Sequence, residues 1–433
     1  MIAERRRPLL PTERPTEEPP AAHPQFVAGR GLRLIADDGT EYLDAVSGTF
    51  NVPLGYDHPE VVDAVVAQLR RCAHLSSTYA GAFARQVLDA LLAVAPPGIG
   101  AGWMRDLVGS TANECAVKIA QKATGATDVV SFHLSHHGQT MFTTAISGNA
   151  FRRQGFPDAV SPHSIKVAPP YCLRCPFGAT YPSCGFRCVE AIEDAVRYAG
   201  NGSVACLIVE PVLGNGGNIV PPPGYFAALE EVCARNDILL IADEVQTGMG
   251  RTGFLFAAET FDFAPNLITL AKGLGGIGVP IAAVLMEDRL DVLAPHDHSF
   301  TSGGNLLGLA AAAATLRVLS EEGFLAGVRQ RGALLGSLLA PLGPPGGYRS
   351  VADVRGVGMM WGVEIVDGDG RPDPDATAKI LACAEQKHRL ILRGSRYGFG
   401  NVIKVRPALV ATEEEIEEIV VKLSRAIREV EAG

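Results

Sequence analysis

Short runs of consecutive apolar residues, each ending on a polar residue, recur between about residues 105 and 290. Val204–Val209 stops at Glu210, Ile238–Ala242 stops at Asp243 and Glu244, and Leu267–Ala271 stops at Lys272. A fourth run spans Pro280–Leu285. Runs this short and this continuous predict strands buried on both faces, and the helical spacings between them predict a parallel sheet covered by helices. Such sheets gather ligand chemistry at the carboxyl ends of their strands, where Glu210, Asp243 and Lys272 fall. The flanks carry other periods. Leu32 and Leu34, the Asp37-Asp38-Gly39 turn, and Tyr42 and Leu43 predict a β-hairpin. Val61, Val62, Val65, Val66 and Leu69 follow His58-Pro59 at spacings that predict a helix with one buried face. Beyond about residue 316 the pattern predicts a helix, a meander over Arg355–Val363, a strand over Val402–Val405 and a last helix. Thr412 and Glu415 open that helix at capping-box spacing.

Length and composition add bounds. A chain of 433 residues is long enough for a large core and two domains. Lys and Arg number 38 against 47 Asp and Glu, a net charge of −9. That balance argues against a broad nucleic-acid or anionic-membrane surface and leaves room for a local cationic pocket. No apolar run approaches the roughly 20 residues of a membrane span. Arg5–Arg7 are followed only by Pro8–Pro11, too little for a signal-peptide core, so a cytoplasmic protein is expected. Nine scattered cysteines, an odd number, fit reduced thiols. Residues 1–24, rich in Pro, Glu and Arg, are expected to form a flexible arm.

The densest chemistry lies in two segments. Ile241–Gly253 is IADEVQTGMGRTG, and Leu270–Gly276 is LAKGLGG. A lysine after a strand is by itself usually solvated; the combined pattern is far more specific. It resembles the class III (omega) aminotransferases, fold-type I pyridoxal-phosphate enzymes, from about Gly29 to the end of the chain. The resemblance implies an α/β fold: a large cofactor-binding domain with a mostly parallel sheet over residues 65–315. A smaller α+β domain would be built from residues 25–64 and 316–433. It implies pyridoxal 5'-phosphate held as a Schiff base by Lys272, with Asp243 keeping the proton on the pyridine nitrogen. It also places Val245 against one ring face and Gln246 near the ring hydroxyl. The reaction implied is ping-pong transfer of an amino group from an amine or amino acid donor to an oxo acceptor, usually an α-keto acid. Decarboxylation, epimerisation and elimination use the same residues, and a scaffold that binds the cofactor without catalysis is a separate alternative.

Further positions follow residue by residue. Gly109 and Ser110, before the helical pattern at Val117, Ile119 and Ala120, match the phosphate cradle at a helix N-terminus. Thr111 departs from the family's glutamate there. His136 takes the position of the aromatic residue that stacks on the second ring face. Thr301, in the segment His298–Asn305, matches the threonine that reaches the phosphate of the neighbouring subunit, which implies a homodimer with shared active sites. Glu210 matches a glutamate near the substrate. Lys404 aligns with the family's carboxylate-binding arginine; Arg406, two residues on, would face the same side of a strand. Only an arginine binds a carboxylate bidentately, so both remain candidates. Phe50 lies in a segment that often lines the substrate pocket. Cys172, Cys175, Cys184 and Cys188 fall within 17 residues, a spacing that would suit zinc. Similar segments in the family form a loop without a general metal signature, so reduced thiols in a packed loop, and no metal, are expected.

Overall fold

The apolar runs assemble into one sheet because each has two apolar faces to cover. The computed structural model describes residues 24–76, 79, 81–149, 164–395 and 398–432. The arm expected over residues 1–24 lies outside them but for its last residue. The chain opens with strands β1 (Phe26–Arg30), β2 (Arg33–Ala36) and β3 (Glu41–Asp44), then α1 (Ser47–Phe50), α2 (Pro59–Arg71) and α3 (Gly81–Leu92). The alternating region follows: β4 (Ala101–Asp106), α4 (Gly109–Thr124), β5 (Asp128–Phe132), α5 (Met141–Ile146) and β6 (Ser164–Val167). It continues with α6 (Arg187–Ala199), β7 (Val204–Val209), α7 (Tyr225–Arg235), β8 (Leu239–Asp243), α8 (Ala257–Phe261), β9 (Leu267–Leu270) and β10 (Ala282–Met286). The last part holds α9 (Leu306–Leu319), α10 (Phe324–Leu339), β11 (Val351–Val357), β12 (Met360–Ile365), α11 (Pro374–His388), β13 (Leu390–Ile391), β14 (Arg393–Gly394), β15 (Val402–Val405) and α12 (Glu413–Ala432).

The central sheet has seven strands in the order β4-β10-β9-β8-β7-β5-β6. Strands β6, β5, β7, β8 and β9 pair in parallel. Alternate residues serve opposite faces: Leu207, Val209, Leu240 and Ile268 pack into one core, and Cys206, Ile208, Ile241 and Leu267 into the other. This is why the runs carry no polar alternation. Strand β10 departs from the parallel expectation and runs antiparallel to both β9 and β4. The connection from Lys272 to Ile281 is too short for the crossover helix a parallel neighbour requires.

Two small sheets flank this one. Strand β13 pairs with β3 in parallel and completes the order β1-β2-β3-β13, so the two ends of the chain share a sheet. The second is β11-β12-β15-β14. The predicted hairpin forms with Leu34 opposite Tyr42. Helix α2 buries Val61 and packs Val65 against the core, whereas Val66 and Leu69 are 37% and 54% exposed. Its buried face runs through Val61, Ala64 and Val65 toward α9, so Val66 and Leu69, expected inside, stand on the outer side. The Thr412–Glu415 box forms reciprocally, Thr412 N donating to Glu415 Oε2 at 3.0 Å and Glu415 N to Thr412 Oγ1 at 3.2 Å. Among the described residues no helix is long and apolar enough to cross a membrane.

Candidate active site

Strands β7, β8 and β9 end side by side and deliver Glu210, Asp243 and Lys272 to one place, as parallel neighbours must when their apolar runs stop in register. A cavity of about 270 Å³ opens there. Gly109, Ser110, Asn113, His136, Asp243, Val245, Gln246 and Lys272 are on its wall.

Asp243 is buried, and its environment is built for an anion. Its Oδ2 accepts from Asn113 Nδ2 at 2.8 Å and pairs with His137 Nδ1 at 2.7 Å; its Oδ1 accepts from Val245 N at 3.2 Å. Burial pushes the carboxyl up, but the His137 hydrogen bond and charge and the Val245 and Asn113 donors outweigh it and hold Asp243 below the usual carboxylate range. Asn113 is fully engaged: its amide also donates to His137 O at 2.8 Å, and its oxygen accepts from Thr269 Oγ1 at 2.7 Å. Asn113 and His137 are thus site residues to which sequence reading assigned no role. The available signal was a polar residue four positions after Gly109, on the same face of α4.

Lys272 follows β9 with a left-handed φ of 43°. Burial lowers its amine to about 8, against the opposing charges of Asp243 and Glu210 and with the help of Arg406. Glu210 accepts from His136 N at 2.8 Å and Gly214 N at 3.0 Å. Burial lifts it to about 7. It therefore organises the loop that carries His136; no arginine pairs with it among the described residues.

On the same cavity α4 begins, with Gly109 and Ser110 in its first turn, where backbone amides have no intrahelical acceptor. Ser110 Oγ accepts from Gln139 N at 3.1 Å. A Cβ on Gly109 would stand 2.7 Å from Val245 Cγ1, so only glycine leaves this approach open.

A larger cavity of about 630 Å³ adjoins the first and shares Thr49, His136 and Lys272 with it. Phe50 and Lys404 line it, with α11 along one side. Here the structure separates Lys404 from Arg406. Both lie over the Phe50 ring, at 5.1 and 4.2 Å, so they share a side as expected. Both are buried, 1% exposed for Arg406 and 2% for Lys404, and they differ in their partners: the terminal nitrogens of Arg406 donate to Gln246 Oε1, Asn218 Oδ1, and Gly214 O at 3.0 Å. Burial and the nearby Arg251 lower Arg406 to about 9, against the charge of Glu210. Lys404 lines the larger cavity, and its Nζ approaches Asn215 Oδ1 at 3.4 Å. Thr301 is exposed and lines neither cavity of this chain.

The arrangement fits pyridoxal phosphate. One cavity carries a buried carboxylate held anionic, which suits a protonated ring nitrogen, a helix N-terminus, which suits a phosphate, and a buried amine of lowered pKa. Val245 and His136 are both on the cavity wall.

Comparisons with known proteins agree. The model of the family "Aminotransferase class-III" matches residues 18–427. The acetylornithine aminotransferase of Methanopyrus kandleri is 34% identical over 404 residues, 93% of this chain and 94% of that one. The leucine/methionine racemase of Thermococcus litoralis is 33% identical, covering 94% of this chain and 91% of that one. An omega transaminase from Pseudomonas jessenii, solved in complex with PMP, superposes with a TM-score of 0.86 at 26% identity, over 94% of this chain and 93% of that one. The chain belongs to the class III aminotransferases, pyridoxal-phosphate-dependent enzymes of fold-type I.

Proposed function

We propose that this enzyme moves an amino group from an amine or amino acid donor to an α-keto acid in two half-reactions, with Lys272 as the covalent anchor of the cofactor. The observation that carries the reading is the buried set of Lys272 and the Asn113- and His137-supported Asp243 on one cavity wall. Pyridoxal phosphate, when bound, draws electron density from the bond broken at the donor carbon into its protonated ring. Asp243 keeps the proton on the ring nitrogen. Lys272 Nζ takes the proton from the donor α-carbon and returns it one position away, a task suited to an amine near 8. Val245 and His136 close the two ring faces, and Gln246, gripped by Arg406, turns its amide nitrogen to the ring hydroxyl. Gly109 and Ser110 hold the phosphate, and Thr301 completes the same contact in a partner subunit, making the enzyme a homodimer. Lys404, beside Phe50, receives the substrate carboxylate as a point charge, while Arg406 is a positioning residue. The nine free thiols are in keeping with a cytoplasmic protein.

The test is an absorbance spectrum of the purified protein, alone and with a panel of amines and amino acids. A visible cofactor band that is lost in Lys272→Ala and bleaches with particular donors is the expected result; no band after adding pyridoxal phosphate would sink the reading. Racemisation is a second reading, favoured by the 33% identical leucine/methionine racemase. It predicts exchange of the amino acid α-proton with solvent deuterium without release of an oxo acid. Oxo-acid release at the rate of exchange excludes it.

A further inference from the structure

Outside the active site, three donors of different chemistry converge between α11 and α12. Cys383 Sγ lies 3.6 Å from Glu429 Oε2, and His388 Nε2 lies 3.0 Å from Glu429 Oε1. The three ligand atoms fall within 4.8 Å of one another. In a tetrahedral zinc sphere, bond lengths of about 2.0–2.3 Å put neighbouring donors about 3.3–3.7 Å apart. The Cys383 Sγ–Glu429 Oε2 separation falls in that range and the His388 Nε2–Glu429 Oε1 separation just below it, each through a different carboxylate oxygen, and no pair of ligand atoms needs to close by more than about 1.5 Å to reach it. Cys383 is buried, His388 is the last residue of α11, and Glu429 is exposed near the end of α12, so the cluster opens to solvent on one side. Sulfur, imidazole and carboxylate together suit a borderline-soft divalent cation and leave a fourth position for water.

We propose that Cys383, His388 and Glu429 form a binding site for one zinc-class divalent cation, which pins α11 to α12. The other side of α11 gives the argument its weight. Thr377, Leu381 and Glu385 line the larger cavity, so a cation at this site stiffens the wall of the substrate pocket. On binding, Cys383 loses its thiol proton to solvent and coordinates as thiolate. His388 Nε2 must be unprotonated. Lys387 is the competing cation, 2.9 Å from Glu429 Oε2, and its side chain is 65% exposed and able to swing out.

A second cluster, Asp106, Cys115 and His298, has similar spacing. There Lys118 Nζ lies 3.3 Å from His298 Nδ1, which makes that nitrogen the acceptor. Nε2 lies 2.9 Å from Asp106 Oδ1, so both ring nitrogens are engaged, and all three side chains are buried, which leaves no open side for a cation to enter.

The test uses the full-length enzyme loaded with pyridoxal phosphate, freed of metal by a chelator and titrated with Co2+. One equivalent per chain, with a thiolate-to-cobalt absorption that disappears in Cys383→Ser, is expected. His388→Gln weakens binding by at least about tenfold, since the loss of mere supporting contacts around a metal already costs about 10–100-fold. The absence of that absorption overturns the proposal. So does an absorption that survives in Cys383→Ser and is lost in Cys175→Ser, which assigns the metal to the loop of Cys172, Cys175, Cys184 and Cys188. A zinc-dependent shift in the donor KM, present in the wild type and absent in Cys383→Ser, supports the coupling to the substrate wall. The same shift in both overturns that coupling.

Discussion

At the residue scale, on the proposal that Lys272 anchors the cofactor, its amine sets when the enzyme is competent. In water a lysine titrates near 10.5; burial disfavours the ammonium and brings Lys272 to about 8. Between those values the unfolded chain binds more protons than the folded one. The shift therefore costs stability below about pH 8, and the folded state recovers it as pH rises from 8 toward 10.5. Function gains what stability loses, because only the neutral amine can bond the cofactor or accept a proton. Cofactor-free protein is expected to capture pyridoxal phosphate with a rate that rises with pH about a midpoint near 8, measured by stopped-flow absorbance. Arg406 pushes the same way, as a like charge. Arg406→Leu is expected to raise the midpoint; an unchanged midpoint would mean that the guanidinium acts only through Gln246. That Lys272, Asp243, Val245 and Gln246 would meet on one cavity was legible because their neighbours in the chain form a specific motif. Asn113 and His137 were not, because their meaning lies in a carboxylate 130 and 106 residues away.

At the scale of elements, one buried carboxylate joins three segments. Glu364 on β12 receives Tyr171 Oη, Arg174 Nε at 2.7 Å and Arg355 Nη1 at 2.7 Å. Arg355 on β11 continues to Gly217 O at 2.7 Å, in the turn whose Asn218 binds Arg406. The start of the cysteine loop, the β11-β12 hairpin and the turn after β7 are thereby connected to Gln246. Burial raises the Glu364 carboxyl, but Arg355, Tyr171 and Arg174 outweigh it and hold it below the ordinary range. Removing one partner of a buried ion pair costs about 3–5 kcal/mol, because the other charges stay buried. Glu364→Ala is expected to lose about that much in denaturant unfolding and to weaken cofactor binding through Arg406. A loss within about 0.5 kcal/mol, the usual size at exposed positions, would show the network to be ornamental. The sequence pattern predicted a meander over Arg355–Val363, where the β11-β12 hairpin forms, but not this junction, since nothing local distinguishes Glu364 from a solvated glutamate.

For the whole molecule, the question is whether one chain makes a complete site. Thr301 is exposed and away from both cavities, as a contact made to another subunit would be. If sites are shared, a Lys272→Ala chain and a Thr301→Asp chain are each expected to be inactive as homodimers. Mixed and reassembled, they should regain activity, because one site of the hybrid has both an intact lysine and an intact threonine. No recovery on mixing, with hybrids verified by mass spectrometry, would make the site self-sufficient.

The sequence by itself determined the family, the cofactor and the alternating architecture, because these depend on local facts: the period of apolar runs, the residue at each strand end and a contiguous motif. It also determined the cap of the last helix, three residues wide. Tertiary structure decided the direction of β10, through the length of a connection, and the outward face of α2, through what α9 covers. It also set the surroundings of Lys404 and Arg406 apart. Both were equal as cations two apart on a strand; only packing could reveal that Gln246, Asn218 and Gly214 take the terminal nitrogens of Arg406 and that Lys404 lines the larger cavity. A side chain's partners come from the whole chain, whereas a strand's pattern comes from its own few residues.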